Sequence, residues 1–161
     1  MTDYTIRNLH TDDYNSVISV IKEWWGGRDL QDMLPKLFFV HFSDTSFIAE
    51  YDGKLLGFVI GFVSQAYDDE AYIHFAGVSP ISRKKGIARS LYETFFEVVK
   101  NRGCKKVTCV TSPVNKTSIS FHMHMGFTPK KSKKEIDGIS VFENYDGENG
   151  DRVLLQKLLA S

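Results

Sequence analysis

The segment that decides the fold is residues 78–88, which read VSPISRKKGIA. It follows a strand-like run from Ala71 to Val78 and leads into a run from Gly86 to about Arg102 that predicts a helix. The apolar residues of that helix recur at helical period: Ile87, Leu91, Phe95 and Val98. A basic, glycine-containing loop at a helix start collects free N–H groups at the positive end of the helix dipole. Such a loop favours a phosphate or pyrophosphate ligand.

The loop fits neither common nucleotide signature. The P-loop pattern G-x-x-x-x-G-K-[ST] and the dinucleotide pattern G-x-G-x-x-G are both absent. Taken alone, the R-x-x-G-x-A pattern of Arg83–Ala88 is also explained by a solvated basic turn before a helix. Both interpretations stay open at this point.

The rest of the chain alternates between strand and helix patterns without a linker, a repeat or a low-complexity stretch. Strands are predicted at Thr5–Asn8, Thr45–Tyr51, Lys54–Ser64 and Lys105–Thr111, with two or three more between Phe127 and Leu159. Further helices are predicted from Thr11 or Asp12 through Trp24, over Leu30–Leu37, and from Asn115 to Gly126. This order predicts one α/β domain over residues 1–161, with a mixed sheet and helices on both faces.

A second motif lies roughly 30 residues after the first and reads N-x-x-S-x-x-F-H-x-x-x-G-F from Asn115 to Phe127. Together the two motifs resemble the GNAT superfamily of N-acetyltransferases. In that family [QR]-x-x-G-x-[GA] binds the pyrophosphate of coenzyme A, and a later helix reads N-x-x-A-x-x-x-Y-x-x-x-G-F. By motif the resemblance covers residues 71–127.

The resemblance implies a fold and an activity. The implied fold is a mixed, mostly antiparallel sheet of six to seven strands, splayed at the cofactor site and flanked by about four helices. The implied activity is transfer of the acetyl group of acetyl-CoA to a primary amine of a small molecule or peptide. We expect the amine to attack directly in a ternary complex, because no Cys or Ser nucleophile is paired with a base. No metal is expected, because His122 and His124 would point in different directions on a helix. The alternative is a non-catalytic acyl-CoA-binding sensor or regulatory module on the same fold.

The resemblance also implies cofactor-binding residues. Gly77 and Val78 offer backbone groups to the pantetheine arm and the thioester carbonyl. Asn115 hydrogen-bonds the pantetheine, and Phe121 packs beside it. For Asn115 a simple helix cap is the other interpretation. The pyrophosphate is expected on the loop and first helical turn: Arg83, Lys84, Lys85, Gly86, Ile87, Ala88 and Arg89.

One departure from the family pattern concerns the acid. His122 stands where the family usually has the Tyr that protonates the departing thiolate. A thiol has a pKa of about 8.5 and an imidazolium about 6.5, so a charged His122 can protonate the thiolate. Packing or solvent exposure is the competing interpretation for this side chain.

The base and the acceptor site have weaker signals. Glu70, at the entry of the strand 71–78, and His74 within it are the candidates for the base that deprotonates the amine. Trp25 and Arg28 follow the first predicted helix, and family members use that region to wall the acceptor site.

The charge of the chain is divided between two blocks. The 20 Lys and Arg balance 20 Asp and Glu overall, yet residues 83–134 hold 13 basic and only two acidic residues. The basic block coincides with the predicted coenzyme A segment. Overall neutrality and the lack of interleaved aromatic residues argue against a nucleic-acid partner.

The sequence predicts a cytoplasmic protein that does not engage a membrane. Its longest apolar run, Leu55–Val63, has nine residues, and a helix needs about 20 to span a bilayer. Residues 1–4 lack the features of a signal peptide. The family resemblance also allows a homodimer.

Overall fold

The computed structural model describes residues 3–160. Met1, Thr2 and Ser161 lie outside the described residues. The first two belong to the segment 1–4, in which the sequence showed no signal-peptide features. The strands are β1 Thr5–Asn8, β2 Phe47–Tyr51, β3 Lys54–Val63, β4 Glu70–Val78, β5 Lys106–Thr111, β6 Thr128–Pro129, β7 Lys134–Ile136, β8 Ile139–Val141 and β9 Val153–Leu158. The α-helices are α1 Tyr14–Trp24, α2 Leu37–His41, α3 Ile87–Asn101 and α4 Lys116–His124.

Seven strands form one sheet in the order β1-β2-β3-β4-β5-β9-β6, and β7 and β8 form a separate hairpin. Every neighbouring pair in the large sheet is antiparallel except β4 and β5, which run parallel. The predicted fold class, a mixed and mostly antiparallel sheet with four helices, is confirmed.

Two element predictions are wrong. The predicted helix over 30–37 is instead a 3-10 turn at Gln31–Met33, and α2 begins only at Leu37. Pro35 explains the shift, because proline is tolerated at the start of a helix but not inside one. The segment from 127 to 159 holds four strands, β6 to β9, rather than two or three, because β6 has only two residues and gives little signal.

Helix boundaries and faces differ in detail from the prediction. α1 begins at Tyr14 after a 3-10 turn at Thr11–Asp13, with Asp13 as its N-cap. In α3 the fourth buried residue of the stripe is Val99, whereas Val98 is only partly buried. No helix within residues 3–160 is both long enough and apolar enough to span a membrane.

The sheet separates two hydrophobic cores. One core lies under α3 and α4 and includes Leu91, Phe95 and Ile119. The other lies under α1 and α2 and includes Ile21 and Phe39. Both faces of the central strands are therefore buried, which explains why β3 is a nearly continuous apolar run.

A β-bulge in β4 changes which residues face each core. On β3, Ile60 pairs with Phe75 and the next residue, Gly61, pairs with Ile73, so His74 is the extra residue. Ile73 packs in the core under α3, whereas Phe75, two residues later, packs in the core under α1. Without the bulge these two side chains would share one face.

Glycines on β3 allow α3 to approach the sheet closely. A Cβ built on Gly61 would lie 2.5 Å from Phe95 Cε1 and 2.6 Å from the Tyr72 carbonyl oxygen. A Cβ on Gly57 would lie 3.0 Å from the Gly77 carbonyl oxygen and 3.2 Å from Leu91 Cδ1. The G-x-x-x-G spacing in β3 is therefore a helix-on-sheet packing device.

We expect Gly61→Ala to lower the free energy of unfolding by about 1–3 kcal/mol, because overpacking displaces both the Phe95 ring and the β4 backbone. Denaturant unfolding followed by circular dichroism measures the loss. Lys54→Ala, at the exposed start of the same strand, is the control and should change little. Equal stabilities of wild type and Gly61→Ala would contradict the close packing of α3.

Candidate active site

The central feature of the site is a gap between β4 and β5. The two strands pair only over Glu70–Tyr72 and Lys106–Thr108. From residue 73 to Val78, β4 stays paired with β3 on its other side but no longer pairs with β5. We call the opening beyond Tyr72 and Thr108 the β4–β5 notch. Along its β4 edge alternate residues direct their backbone groups to the notch side. The Ser79 amide donates to the Leu56 carbonyl of β3 at 2.8 Å, so Ser79 and Gly77 direct their backbone groups toward β3, and Val78 between them directs its groups toward the notch.

Residues 79–86, which include a 3-10 turn at Pro80–Ser82, connect the end of β4 to the amino end of α3. Gly86 is the N-cap residue with φ of +79°, and no side chain caps the helix. The amides of Ile87, Ala88 and Arg89 are in the first turn, where N–H groups have no partner within the helix. A Cβ on Gly86 would meet nothing within 4 Å, so the space above this turn is open. Lys84 also has positive φ, at 66°. The loop fits a bound phosphate group through its main chain.

The guanidinium of Arg83, an exposed residue, bonds two backbone carbonyls of the protein. Its Nε donates to the Val78 carbonyl at 3.2 Å, and Nη2 donates to the Trp24 carbonyl at 2.8 Å. The side chain therefore ties the end of β4 to the carboxyl end of α1. Because the guanidinium is engaged in this way, Arg83 is expected to contribute to the predicted pyrophosphate site through its main chain rather than through its side-chain charge.

Asn115 and Phe121 lie on α4. The Asn115 Oδ1 accepts the Ser118 amide at 3.1 Å, which is the N-cap bond that the alternative interpretation expected. The Phe121 ring is partly buried and packs edge-on against Tyr92, with ring centroids 5.1 Å apart.

His122 is enclosed in the core under α3 and α4, where only 8% of the residue is exposed. Its Nδ1 donates to the Ser118 carbonyl at 2.7 Å, because a carbonyl can only accept. Its Nε2 therefore carries no proton and accepts the Tyr92 hydroxyl at 2.9 Å. Burial lowers the pKa of His122 from its usual value, and the bond to Ser118 opposes this only in part. The geometry describes a neutral imidazole with both nitrogens occupied.

His74, the bulged residue of β4, lies beside the notch. Its Nε2 bonds the Met33 carbonyl, so Nε2 carries the proton and Nδ1 keeps a free lone pair. Its ring stacks flat on Phe38, with centroids 4.2 Å apart and 3° between the planes. Burial lowers the pKa of His74, and the Met33 hydrogen bond partly offsets this. At neutral pH the side chain is therefore an uncharged imidazole with one basic nitrogen.

Glu70 lies at the opposite end of β4. Eight strand steps put it roughly 26 Å from Val78. One carboxylate oxygen accepts the Thr108 hydroxyl at 3.2 Å, and the other lies 3.4 Å from Lys106 Nζ. Glu70 therefore lies in the paired part of the sheet, two residues before the notch opens, and four strand steps separate it from His74, so the structure does not bring the two base candidates together.

Trp25 and Arg28 follow α1. The six-membered ring of Trp25 fills the space where a Cβ on Gly77 would lie, and the indole stacks on Phe75 with centroids 4.9 Å apart. Trp25 thus covers β4 at the notch, on the face opposite α3. Arg28 is exposed beyond the Gly26-Gly27 turn.

Sequence reasoning missed two partners of the site. Tyr92, which holds His122 Nε2, was not singled out, although its position one residue after Leu91 in the α3 stripe indicates burial. The Met33 carbonyl, which fixes the His74 tautomer, has no sequence signal because any residue supplies a carbonyl. Within residues 3–160 no cluster of three His, Cys, Asp or Glu side chains forms a metal-ligand group.

Comparison with known proteins assigns the family. The family model described as "Acetyltransferase (GNAT) family" matches residues 4–127. The chain belongs to the GNAT family of acetyltransferases.

Two curated relatives show how far the similarity of this GNAT chain extends. An L-2,4-diaminobutyric acid acetyltransferase of Nocardia farcinica is 32% identical over 79 residues, which is 49% of this chain and 41% of that protein. An aminoglycoside N(6')-acetyltransferase type 1 of Salmonella typhimurium is 32% identical over 89 residues, which is 52% of this chain and 61% of that protein. This chain therefore spans about half the length of these relatives.

Solved structures share the fold over the whole chain. Ard1 from Thermoplasma volcanium is 17% identical with a TM-score of 0.78, and the match covers 99% of this chain and 100% of Ard1. The yncA protein of Salmonella typhimurium, solved with its cofactor acetyl-CoA, is 16% identical with a TM-score of 0.72, covering 99% and 96%. At these identities the likeness shows the fold alone.

We expect His122 to be neutral in the Nδ1–H tautomer at pH 7 and to titrate below the ordinary histidine pKa of about 6.5, because burial disfavours the charged ring. Long-range ¹H–¹⁵N correlation spectra across a pH series measure both properties. His122→Gln identifies the resonance. An Nε2–H tautomer, or a midpoint at or above the ordinary value, would contradict the assigned hydrogen bonds.

Proposed function

We propose that this chain is an N-acetyltransferase that transfers the acetyl group of acetyl-CoA to a primary amine. The observation that carries the proposal is the path of β4. The strand leaves β5 after Tyr72, and the loop over 79–86 connects it to the uncapped amino end of α3. The first residue of α3, Ile87, lies beside Gly57, the β3 partner of Val78, so this helix end is close to the end of β4. One strand thus joins a slot for an extended chain to a site for a phosphate group, which matches the two parts of coenzyme A. Family membership supports the same activity.

The residues present fit acetyl-CoA as a co-substrate. The main chain of 83–89 would hold the pyrophosphate. The Val78 N–H group would hydrogen-bond the pantetheine arm, since the Val78 carbonyl already accepts from Arg83, and the backbone of Gly77 would lie alongside the arm. Asn115 and Phe121 would border the other side. When bound, acetyl-CoA supplies an activated acyl carbon, and free N–H groups on β4 would stabilise negative charge on its carbonyl oxygen.

His74 is the base that we propose for the amine. Its Nδ1 lone pair is fixed by the Met33 hydrogen bond on the other nitrogen, and the residue lies in the part of β4 that borders the notch. It would take a proton from the ammonium group directly or through one water. Glu70 remains the other candidate. Its carboxylate is held by Thr108 and Lys106 in the paired part of the sheet, which makes His74 the better one.

For His122 we propose that the neutral ring supports the packing of α4 against α3 rather than acting as the acid. An acid at this position needs a proton on Nε2, where the Tyr92 hydroxyl already donates. A thiolate with a pKa near 8.5 is a good enough leaving group to depart unprotonated and gain its proton from solvent.

The engaged nitrogens of His122 also favour the second candidate function, a non-catalytic acyl-CoA sensor. The two functions differ in one measurement, the release of free thiol from acetyl-CoA over a panel of primary amines. Amine-dependent thiol release establishes the transferase. Binding of acetyl-CoA without release under any acceptor establishes the sensor. A cytoplasmic location and a homodimer remain predictions from the sequence and the family.

We expect Gly86→Asp to weaken coenzyme A binding at least about tenfold, because a carboxylate at the amino end of α3 occupies the anion site and repels the pyrophosphate. Asp tolerates a positive φ, so the loop should keep its shape. Isothermal titration with coenzyme A measures the Kd. Gly138→Asp is the matched control, since Gly138 also has φ of +80° and open space around it. Similar Kd values for the two variants would place the cofactor elsewhere.

His74→Gln should lower kcat by about 10²-fold or more, while Glu70→Gln should change it little. Burial lowers the pKa of His74, so its basic form persists at neutral pH and wild-type kcat should fall only as the pH drops through that lowered value. This acidic limb should vanish in His74→Gln. Thiol release at saturating amine from pH 5 to 9 measures it. The reverse pattern, with Glu70→Gln inactive and His74→Gln active, would assign the base to Glu70.

A further inference from the structure

Four aromatic rings continue from His74 across the face of the sheet that lies on the α1 and α2 side. We call Phe38, Phe42, Phe62 and Tyr72 the aromatic strip. Phe38 stacks on His74 at 4.2 Å, Phe42 lies 5.4 Å from Phe38, Phe62 lies 5.1 Å from Phe42, and Tyr72 lies 5.4 Å from Phe62. Each distance joins two ring centroids, so the strip is continuous.

The strip is not part of the hydrophobic core. All four residues are half-buried, and Phe42, Phe62 and Tyr72 pack in neither of the two core clusters. The buried residues that the sheet contributes to the core under α1 and α2 come from β2, β3 and β4. Within the described chain none of them comes from β5 or β9. The helices thus stop short of this part of the sheet, and the rings stay accessible from one side.

Two strands position the strip relative to the notch. Phe62 and Tyr72 are directly paired residues of β3 and β4, so their rings stand side by side. Tyr72 is the last residue of β4 that pairs with β5, and His74 follows two positions later. The strip therefore begins at the proposed base and ends at Tyr72, where β4 and β5 separate.

The hydroxyl of Tyr72 adds a polar group to this apolar surface. Among the described residues it makes no hydrogen bond, and it is not sealed from solvent. Burial raises the pKa of Tyr72 to about 12, so the hydroxyl stays protonated and can donate.

We propose that the aromatic strip is the acceptor-binding surface and that it selects primary amines carried by an aromatic or similarly flat apolar group. This inference rests on the proposed function, since His74 is its reference point. A ring on the acceptor would stack on Phe62 and Phe42, and the ammonium group would lie at the His74 end. The same chemistry occurs in a small arylalkylamine and in a peptide that begins with an aromatic residue.

The test compares kcat/KM for matched acceptors at one pH. 2-Phenylethylamine should exceed n-propylamine and ethanolamine by about 10–100-fold, the gain expected from burying one phenyl ring. The kcat/KM ratio of the peptide amide Phe-Gly-Gly over Gly-Gly-Gly tests whether the acceptor is a peptide. The larger of the two ratios, for small amines or for peptides, identifies the source of the acceptor. Equal or better turnover of ethanolamine would overturn the inference while leaving the acetyltransferase activity established.

Variants locate the effect on the strip. Phe62→Ala should lower kcat/KM for 2-phenylethylamine about tenfold and leave n-propylamine within twofold, whereas Phe62→Leu should retain part of the preference. Tyr67→Ala, an exposed aromatic residue outside the strip, is the matched control. An equal loss for all amines in Phe62→Ala would contradict a role in selection.

A binding measurement separates this inference from the proposed function. If no amine is acetylated, 2-phenylethylamine is titrated against the coenzyme A complex by NMR. Shifts of the Phe42, Phe62 and Tyr72 ring signals that weaken in Phe62→Ala would uphold the binding surface and reject the transferase. The amine is added to 10 mM, roughly the Kd of the weakest useful acceptor. The absence of any shift at this concentration would overturn the inference itself.

Discussion

The structure depends on how β4 divides its hydrogen bonds between two neighbours. Along its whole length it pairs with β3, but it pairs with the parallel strand β5 over only three residues. Two strands that start side by side and then separate leave a wedge whose edge consists of free backbone groups. Unpaired groups of this kind need water or a ligand. The amino end of α3 lies at the outer end of the same wedge, so the fold places a second set of free N–H groups in line with the first.

A single extra residue in β4 determines what each face of the sheet does. Because His74 interrupts the pairing with β3, Ile73 faces α3 and Phe75 faces α1. The bulge turns the imidazole to the side on which Met33 and Phe38 hold it. The proposed cofactor path and the proposed acceptor surface thus approach the strand from different directions. That arrangement suits a direct transfer, in which donor and acceptor are bound together.

Contacts across the chain join the two halves of this site. Arg83 connects the carbonyl at the end of β4 with the carboxyl end of α1, and Trp25 packs over Gly77. The end of α1 is therefore anchored to the loop before α3, which joins the proposed acceptor side to the proposed cofactor side.

The main features of the fold and the cofactor loop were predictable because they depend on neighbours in the sequence. The loop from Arg83 to Ala88, the α3 stripe and the Asn115 cap are all local patterns, and the structure places each of them as helix starts or helix faces. The predicted position of α2 was wrong because Pro35 is compatible with two local structures, and only packing against the core selects one of them. The environment of His122 could not be predicted for a related reason, since its hydrogen-bond partner Tyr92 lies 30 residues away in the chain.

The sequence by itself determined the family, the order of elements and the basic loop before α3, where we propose that the cofactor binds, because glycines, caps and apolar periods act over a few residues. Only the tertiary structure decided the protonation of His74 and His122, the distance of Glu70 from the notch and the continuity of the aromatic strip. Each of these depends on which distant segment supplies a carbonyl, a hydroxyl or a ring. The physical reason is that the tautomer and the pKa of a side chain depend on its hydrogen-bond partners and its burial. Strand register and bulges determine those partners and that burial.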